Sequence, residues 1–133
     1  MKTTTTTNLF LISILLLSSL FTNCEKSDDD DSKLSKECNI SREDVLSNDM
    51  QLVYTVTISG DADCEMISYQ IGDTKESVNN PVMPWSITSS GISGDSIKLS
   101  ADAKTKNGGI ALTIKGNGST SELELNDECS YSN

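Results

Sequence analysis

From residue 50 onward, apolar side chains recur at every second position in short runs. Leu52-Val-Tyr54-Thr-Val56-Thr-Ile58 sets the pattern, and Glu65–Ile71, Ser96–Ala103 and Ile110–Lys115 repeat it. A period of two sends successive side chains to opposite faces of an extended strand, and no window sustains the 3.6-residue period of an amphipathic helix. Each run stops at turn residues: Gly60-Asp61, Gly72-Asp73, Asn79-Asn80-Pro81, Gly91 with Gly94, Asn107-Gly108-Gly109 and Asn117-Gly118. Gly72-Asp73 is a two-residue hairpin signal of type II′. Adding Thr74–Val78, Pro84–Thr88 and Ser119–Leu125 gives about seven strands at roughly ten-residue spacing. The expected fold is all-β, an antiparallel β-sandwich or barrel over residues 49–133. Its inward set is Tyr54, Val56, Ile58, Ile67, Tyr69, Ile71, Trp85, Ile87, Ile97, Leu99, Leu112, Ile114, Leu123 and Leu125. At about 1.5–3 kcal/mol per fully buried large side chain, that set suffices for a domain of this size.

The chain before residue 49 reads differently. Lys2 and a threonine run lead into Leu9–Phe21, an apolar stretch of 13 residues. At about 1.5 Å per residue, a helix of that length reaches only ~20 Å, short of a hydrocarbon core of ~30 Å. The length is that of a signal-peptide core, so residues 1–23 read as a removable leader. Cys24 follows directly and resembles the lipobox cysteine of bacterial lipoproteins, although Asn23 and Phe21 are not the usual residues before it. Glu25, Lys26, Ser27 and then Asp28, Asp29, Asp30 and Asp31 resemble the acidic export signal of Bacteroidota-type surface lipoproteins. The resemblance implies a lipid on Cys24 and a place on the outer face of the outer membrane. Residues 24–48 are expected to form a flexible acidic tether, because 4 basic and 9 acidic residues between 25 and 49 leave little to bury. Within it, Ser41-Arg42-Glu43-Asp44 before Val45-Leu46 is a signal for one short helical turn.

Charge and composition exclude several function classes. The chain has 10 basic and 20 acidic residues, a net charge of −10, and no histidine. Phosphate counterion release needs Lys and Arg, so nucleic acid is not an expected partner. Imidazole-dependent nucleophilic, zinc and iron chemistries are likewise excluded.

Val53-Tyr54-Thr55-Val56, Ile67-Ser68-Tyr69 and Pro84-Trp85-Ser86, in that order, resemble the MmpS family of small mycobacterial membrane proteins and their bacterial relatives. The similarity spans residues 52 to about 115, with Pro84-Trp85-Ser86 its most specific part. It implies an immunoglobulin-like sandwich held at a membrane, with some members assisting lipid transporters. Two features depart from the family: a short leader in place of a transmembrane helix, and Met83 where leucine is usual.

The remaining candidate residues each have an ordinary structural role beside a functional one. Trp85 has the alternatives of an exposed ligand contact and a core plug, and we read it as the plug. Glu122 and Glu124 share one face of the last strand, while Asp61, Asp63 and Glu65 cluster near a turn. Acid–base work on a glycoside or calcium binding would use such carboxylates, but solvent-facing acids opposite Leu123 and Leu125 are expected anyway. No cofactor and no metal site are expected. Asp95-Ser96-Ile97 resembles an O-glycosylation site, with Ser96 as the acceptor. If Cys24 is acylated, Cys38, Cys64 and Cys129 remain, an odd number for an oxidising compartment. One bridge and one free thiol follow; all three pairings are open to the sequence, and clamping the loose leading segment favours Cys38 with Cys64 or Cys129. The functional expectation is a non-enzymatic envelope lipoprotein that binds or scaffolds an envelope partner, and the MmpS resemblance implies a transport complex as that partner. A small carboxylate-dependent hydrolase or carbohydrate-active module is the alternative.

Overall fold

A computed structural model describes residues 35–132. The leader, Cys24 and the acidic run Glu25–Asp31 lie outside the described residues. Eight strands follow one another: β1 (Lys36–Val45), β2 (Met50–Gly60), β3 (Asp63–Ile71), β4 (Thr74–Asn79), β5 (Trp85–Gly91), β6 (Ser96–Thr105), β7 (Gly108–Gly118) and β8 (Glu122–Tyr131). They form two four-stranded sheets, β1-β6-β3-β4 and β5-β2-β7-β8, in which every pairing is antiparallel. The two sheets enclose one core, as the expected sandwich requires. Their strand order is distinctive, since β1 lies beside β6 and β8 beside β7.

The alternation seen in sequence sorts the side chains. Leu52, Tyr54 and Val56 of β2 are fully buried, as are Ile67 of β3, Ile97 and Leu99 of β6, and Leu112 and Ile114 of β7. Between them, the polar residues of each strand face water. Tyr54 remains buried because its hydroxyl donates to the Gln70 carbonyl at 3.0 Å. Burial also pushes its phenol well above the ordinary range. The expected core members Ile71, Trp85, Ile87, Leu123 and Leu125 are only partly covered, being on edge strands or at a strand end. Ile58 is exposed near the end of β2.

At the far end of the β2–β7 ladder, Gly60 pairs with Gly108. Both take positive φ, 63° and 151°. A Cβ on Gly60 would collide with the Asn107 carbonyl, and one on Gly108 with that of Ser59. Only glycine fits where the two chains approach this closely.

The expected tether needs correction over its second half. Residues 36–45 form a strand, and no helical turn forms at Ser41–Asp44. Cys38 and Ile40 face inward and are buried, together with Leu46 just beyond the strand. The charged residues between and after them face water while the backbone pairs with β6 from Lys36↔Thr105 to Val45↔Ser96. A ladder satisfies backbone groups whatever the side-chain charge, so two inward residues and a waiting edge are enough.

β1 and β8 are the edges of opposite sheets and are joined to each other. Cys38 is bonded to Cys129 across a Cα–Cα distance of 5.7 Å, which settles the open pairing in favour of Cys129. Cys64 is the buried free thiol. Polar contacts continue the seam on both sides of the bridge. Arg42 Nε donates to the Asn126 carbonyl at 2.8 Å, the Ser41 amide donates to Asp127 Oδ2 at 3.2 Å, and Lys36 Nζ sits 4.5 Å above the Tyr131 ring.

The bridge spans 91 residues of chain. A loop of that size removes on the order of 4–5 kcal/mol of denatured-state freedom in the chain-entropy account. Reduction, or Cys129→Ser, is therefore expected to lower the unfolding free energy by several kcal/mol in denaturant titrations. In the oxidised native protein, Cys64 is expected to resist alkylation until the sandwich unfolds.

Candidate functional site

The residues of the Tyr-x-Val, Ile-Ser-Tyr and Pro-Trp-Ser segments converge in space. Tyr54 and Val56 lie on β2, Ile67 and Tyr69 on β3, and Trp85 and Ser86 open β5 immediately after Pro84. The Tyr54 and Tyr69 rings are 6.0 Å apart, and the Tyr69 and Trp85 rings 5.6 Å apart, all tilted. Val56 pairs directly with Trp85, and the Ser86 hydroxyl donates to the Tyr54 carbonyl at 2.9 Å. The three segments thus form an aromatic wedge between β2, β3 and β5. Trp85 packs on the core from the rim, where it stays partly exposed. The wedge packs the sheets against each other, and at its margin the Tyr69 hydroxyl donates to Glu76 of β4.

The carboxylates do not assemble into a site. Asp61 accepts from the Thr105 hydroxyl at 2.7 Å and from the amides of Asn107 and Lys106 at 2.7 and 3.0 Å. Those bonds favour the charged form and lower its pKa, the Asn107 amide most. Asp61 therefore latches the β2–β3 turn to the β6–β7 turn. Glu65 pairs with Lys104 at 2.6 Å, a contact that raises the lysine's pKa. Asp63 is exposed at the start of β3, and among the described residues no three acids or cysteines gather as metal ligands. Glu122 and Glu124 stand in water on the outer face of β8, Glu124 at 3.6 Å from Lys115.

What lies on the two outer faces is order of another kind. Strand register aligns Ser41, Ser100, Ser68 and Ser77 in one row across all four strands of the first sheet. The Ser68 and Ser77 hydroxyls are hydrogen-bonded at 2.9 Å. The next row holds Glu43, Lys98, Gln70 and Lys75, with Glu43 and Lys98 paired at 3.2 Å. All of these but Ser41 line an open depression of ≈ 500 Å³. The second sheet aligns Ser86, Thr55, Thr113 and Asn126 in the same way. Beside that row, a depression of ≈ 490 Å³ is lined by residues including Gln51, Lys115, Asn117, Glu122 and Glu124. The first face mixes both signs of charge, while the β8 side of the second is acidic through Glu122, Glu124 and Glu128.

No protein family, curated protein or solved structure matches the chain.

Ser96, the candidate acceptor hydroxyl, is exposed at the first position of β6. The preceding Asp95 accepts from the Ile92 amide at 3.0 Å and closes the turn that presents it. Sequence reading did not find the hydroxyl rows. Each serine is visible as the polar member of an alternating run, but only register shows that they line up.

Two outcomes follow from these placements. Trp85→Ala removes a rim aromatic that packs on Tyr69, and it is expected to cost about 3 kcal/mol, the low end for large aromatic truncations. Asp61 has a lowered folded pKa. Its stabilising contribution is thus complete above the unfolded carboxyl value of about 3.9 and is lost as pH falls through the folded value. Acid titration of stability should show that loss in the native chain and a flatter acid limb in Asp61→Asn.

Proposed function

We propose that this chain is a lipid-anchored outer-membrane protein, exposed on the cell surface, whose sandwich is a non-enzymatic binding or accessory module. The observation that supports it best is the dispersal of polar groups in rows over two open sheet faces, instead of their convergence in a sheltered cleft. Open faces of short hydroxyl, amide and paired charged side chains suit broad, weak, water-mediated contacts with a polar partner. Catalysis requires groups held in a water-excluded pocket. The acidic side of the β8 face suits a cationic partner, in keeping with the chain's negative charge. The lipid is proposed on Cys24, with residues 25–31 as the export signal. The MmpS-like segments supply the further proposal that the partner is an envelope transport complex.

Metabolic fatty-acid labelling tests the anchor: Cys24→Ala is expected to lose the label and membrane retention together. Replacing Asp28 to Asp31 by alanine is expected to leave the protein lipidated but shielded from protease added to intact cells. Association with envelope components is expected to weaken as added salt shortens the Debye length below ~10 Å. Turnover of a glycoside, ester or peptide substrate that vanishes in Glu122→Gln or Glu124→Gln would instead establish the hydrolase alternative.

A further inference from the structure

The four outermost strands are not guarded alike. β1 carries Lys36, Glu37, Arg42, Glu43 and Asp44, and β8 carries Glu122, Glu124, Asp127 and Glu128. These two edges are also clasped to each other by the Cys38–Cys129 bridge. On the opposite side, β4 bears Lys75, and its Glu76 accepts the Tyr69 hydroxyl at 2.5 Å, a charge on the strand's core-facing side. Charged side chains, above all inward-pointing ones, discourage a further strand from adding to an edge. β5 has no such device. Its seven residues, Trp-Ser-Ile-Thr-Ser-Ser-Gly, carry no charge and no proline, and among the described residues it pairs on one side only, with β2.

We propose that β5 is the docking edge for a second copy of this chain. The two β5 strands pair antiparallel about a two-fold axis at Thr88, joining two four-stranded sheets into one of eight strands. The strand's own sequence supports this occupant. A two-fold at Thr88 sets Trp85 opposite Gly91 of the second copy and Ile87 opposite Ser89, so each large core-side residue meets a small one. An aromatic side chain lying over a cross-strand glycine is a favourable pairing. On the outer face, Ser86 meets Ser90 and Thr88 meets Thr88, hydroxyl against hydroxyl. Val82 and Ile92, the two most exposed large apolar residues at 87 % and 63 %, flank the two ends of β5. The two-fold brings Ile92 beside Pro84 of the second copy at each end of the new ladder. Charge narrows the choice of surface further. Residues 50–133 hold 5 basic and 11 acidic residues, so copies repel over most of their surface, and the uncharged β5 edge lets them approach. The result is an isologous interface that closes on itself at two subunits.

Cross-linking tests both the contact and its register, using the full chain in cell envelopes and in mild detergent. Residues directly opposite in an antiparallel pair have Cα atoms about 4.5–5.5 Å apart, within disulfide reach. Thr88→Cys is therefore expected to give a covalent dimer under mild oxidation, well above the background set by the unsubstituted chain. Ser86→Cys alone places its two sulfurs about 13 Å apart along the strands and is expected to stay at background. Ser86→Cys with Ser90→Cys is expected to cross-link. Sedimentation of the unsubstituted chain is expected to show twice the monomer mass. Thr88→Lys and Ser90→Lys, each checked for native circular dichroism, are expected to raise its dissociation midpoint by roughly tenfold or more. A monomer at all concentrations would overturn the proposal. So would Thr88→Cys at background, equal cross-linking by Ser86→Cys alone, or a dimer untouched by both lysine variants. Strand addition by an extended foreign peptide to a monomeric chain would assign the edge to another occupant and also overturn it.

Discussion

The covalent joining of β1 to β8 is the constraint from which the rest of the architecture follows. A sandwich has two long open sides, and each leaves backbone donors and acceptors facing outward from both sheets. Here one side is shut by the Cys38–Cys129 bridge, with Arg42, Ser41 and Lys36 reaching across to Asn126, Asp127 and Tyr131. Closing that side pins the first and last strands together. Ala101 and Ala103 of β6, the strand beside β1, are buried there. Tyr54, Tyr69 and Trp85 pack on one another between β2, β3 and β5. Three of the four described aromatic rings thus cluster away from the bridge, and the fourth, Tyr131, lies at the seam itself.

The fold was legible in the sequence wherever one face of a strand was uniformly apolar. β2, β6 and β7 alternate without interruption, and their inward residues Tyr54, Val56, Ile97, Leu99, Leu112 and Ile114 are all buried. β1 escaped notice because its inward positions hold only Cys38 and Ile40, while Lys36, Glu37, Arg42, Glu43 and Asp44 dominate its composition. Composition measures average hydrophobicity, but a strand on an existing edge needs only its backbone and a couple of inward side chains. Ile58 failed in the opposite sense: its parity is inward, yet β2 runs past the end of the core there.

The functional surface was less legible, for a related reason. Asp61, Asp63 and Glu65 are neighbours in sequence, but the chain turns between them. One becomes a latch for Thr105 and Asn107, another pairs with Lys104, and the third faces water. The converse holds for Ser41, Ser68, Ser77 and Ser100, which are distant in sequence and adjacent in space. Strand register carries that information, and no single run of alternating residues specifies which run lies beside it.

The seam also decides how the domain meets mechanical load. A pull on the chain ahead of β1 enters at Lys36 and reaches Cys38 two residues later, where part of it passes through the sulfur bridge into β8. Unzipping β1 from β6 one hydrogen-bonded pair at a time then halts almost at once, because peeling beyond Cys38 also drags on β8, itself laced to β7 along its whole length. Tension that would fray a lone edge strand is shared between both sheets. A domain loaded through its leading end is, in this respect, hung from a shackle and not from a thread.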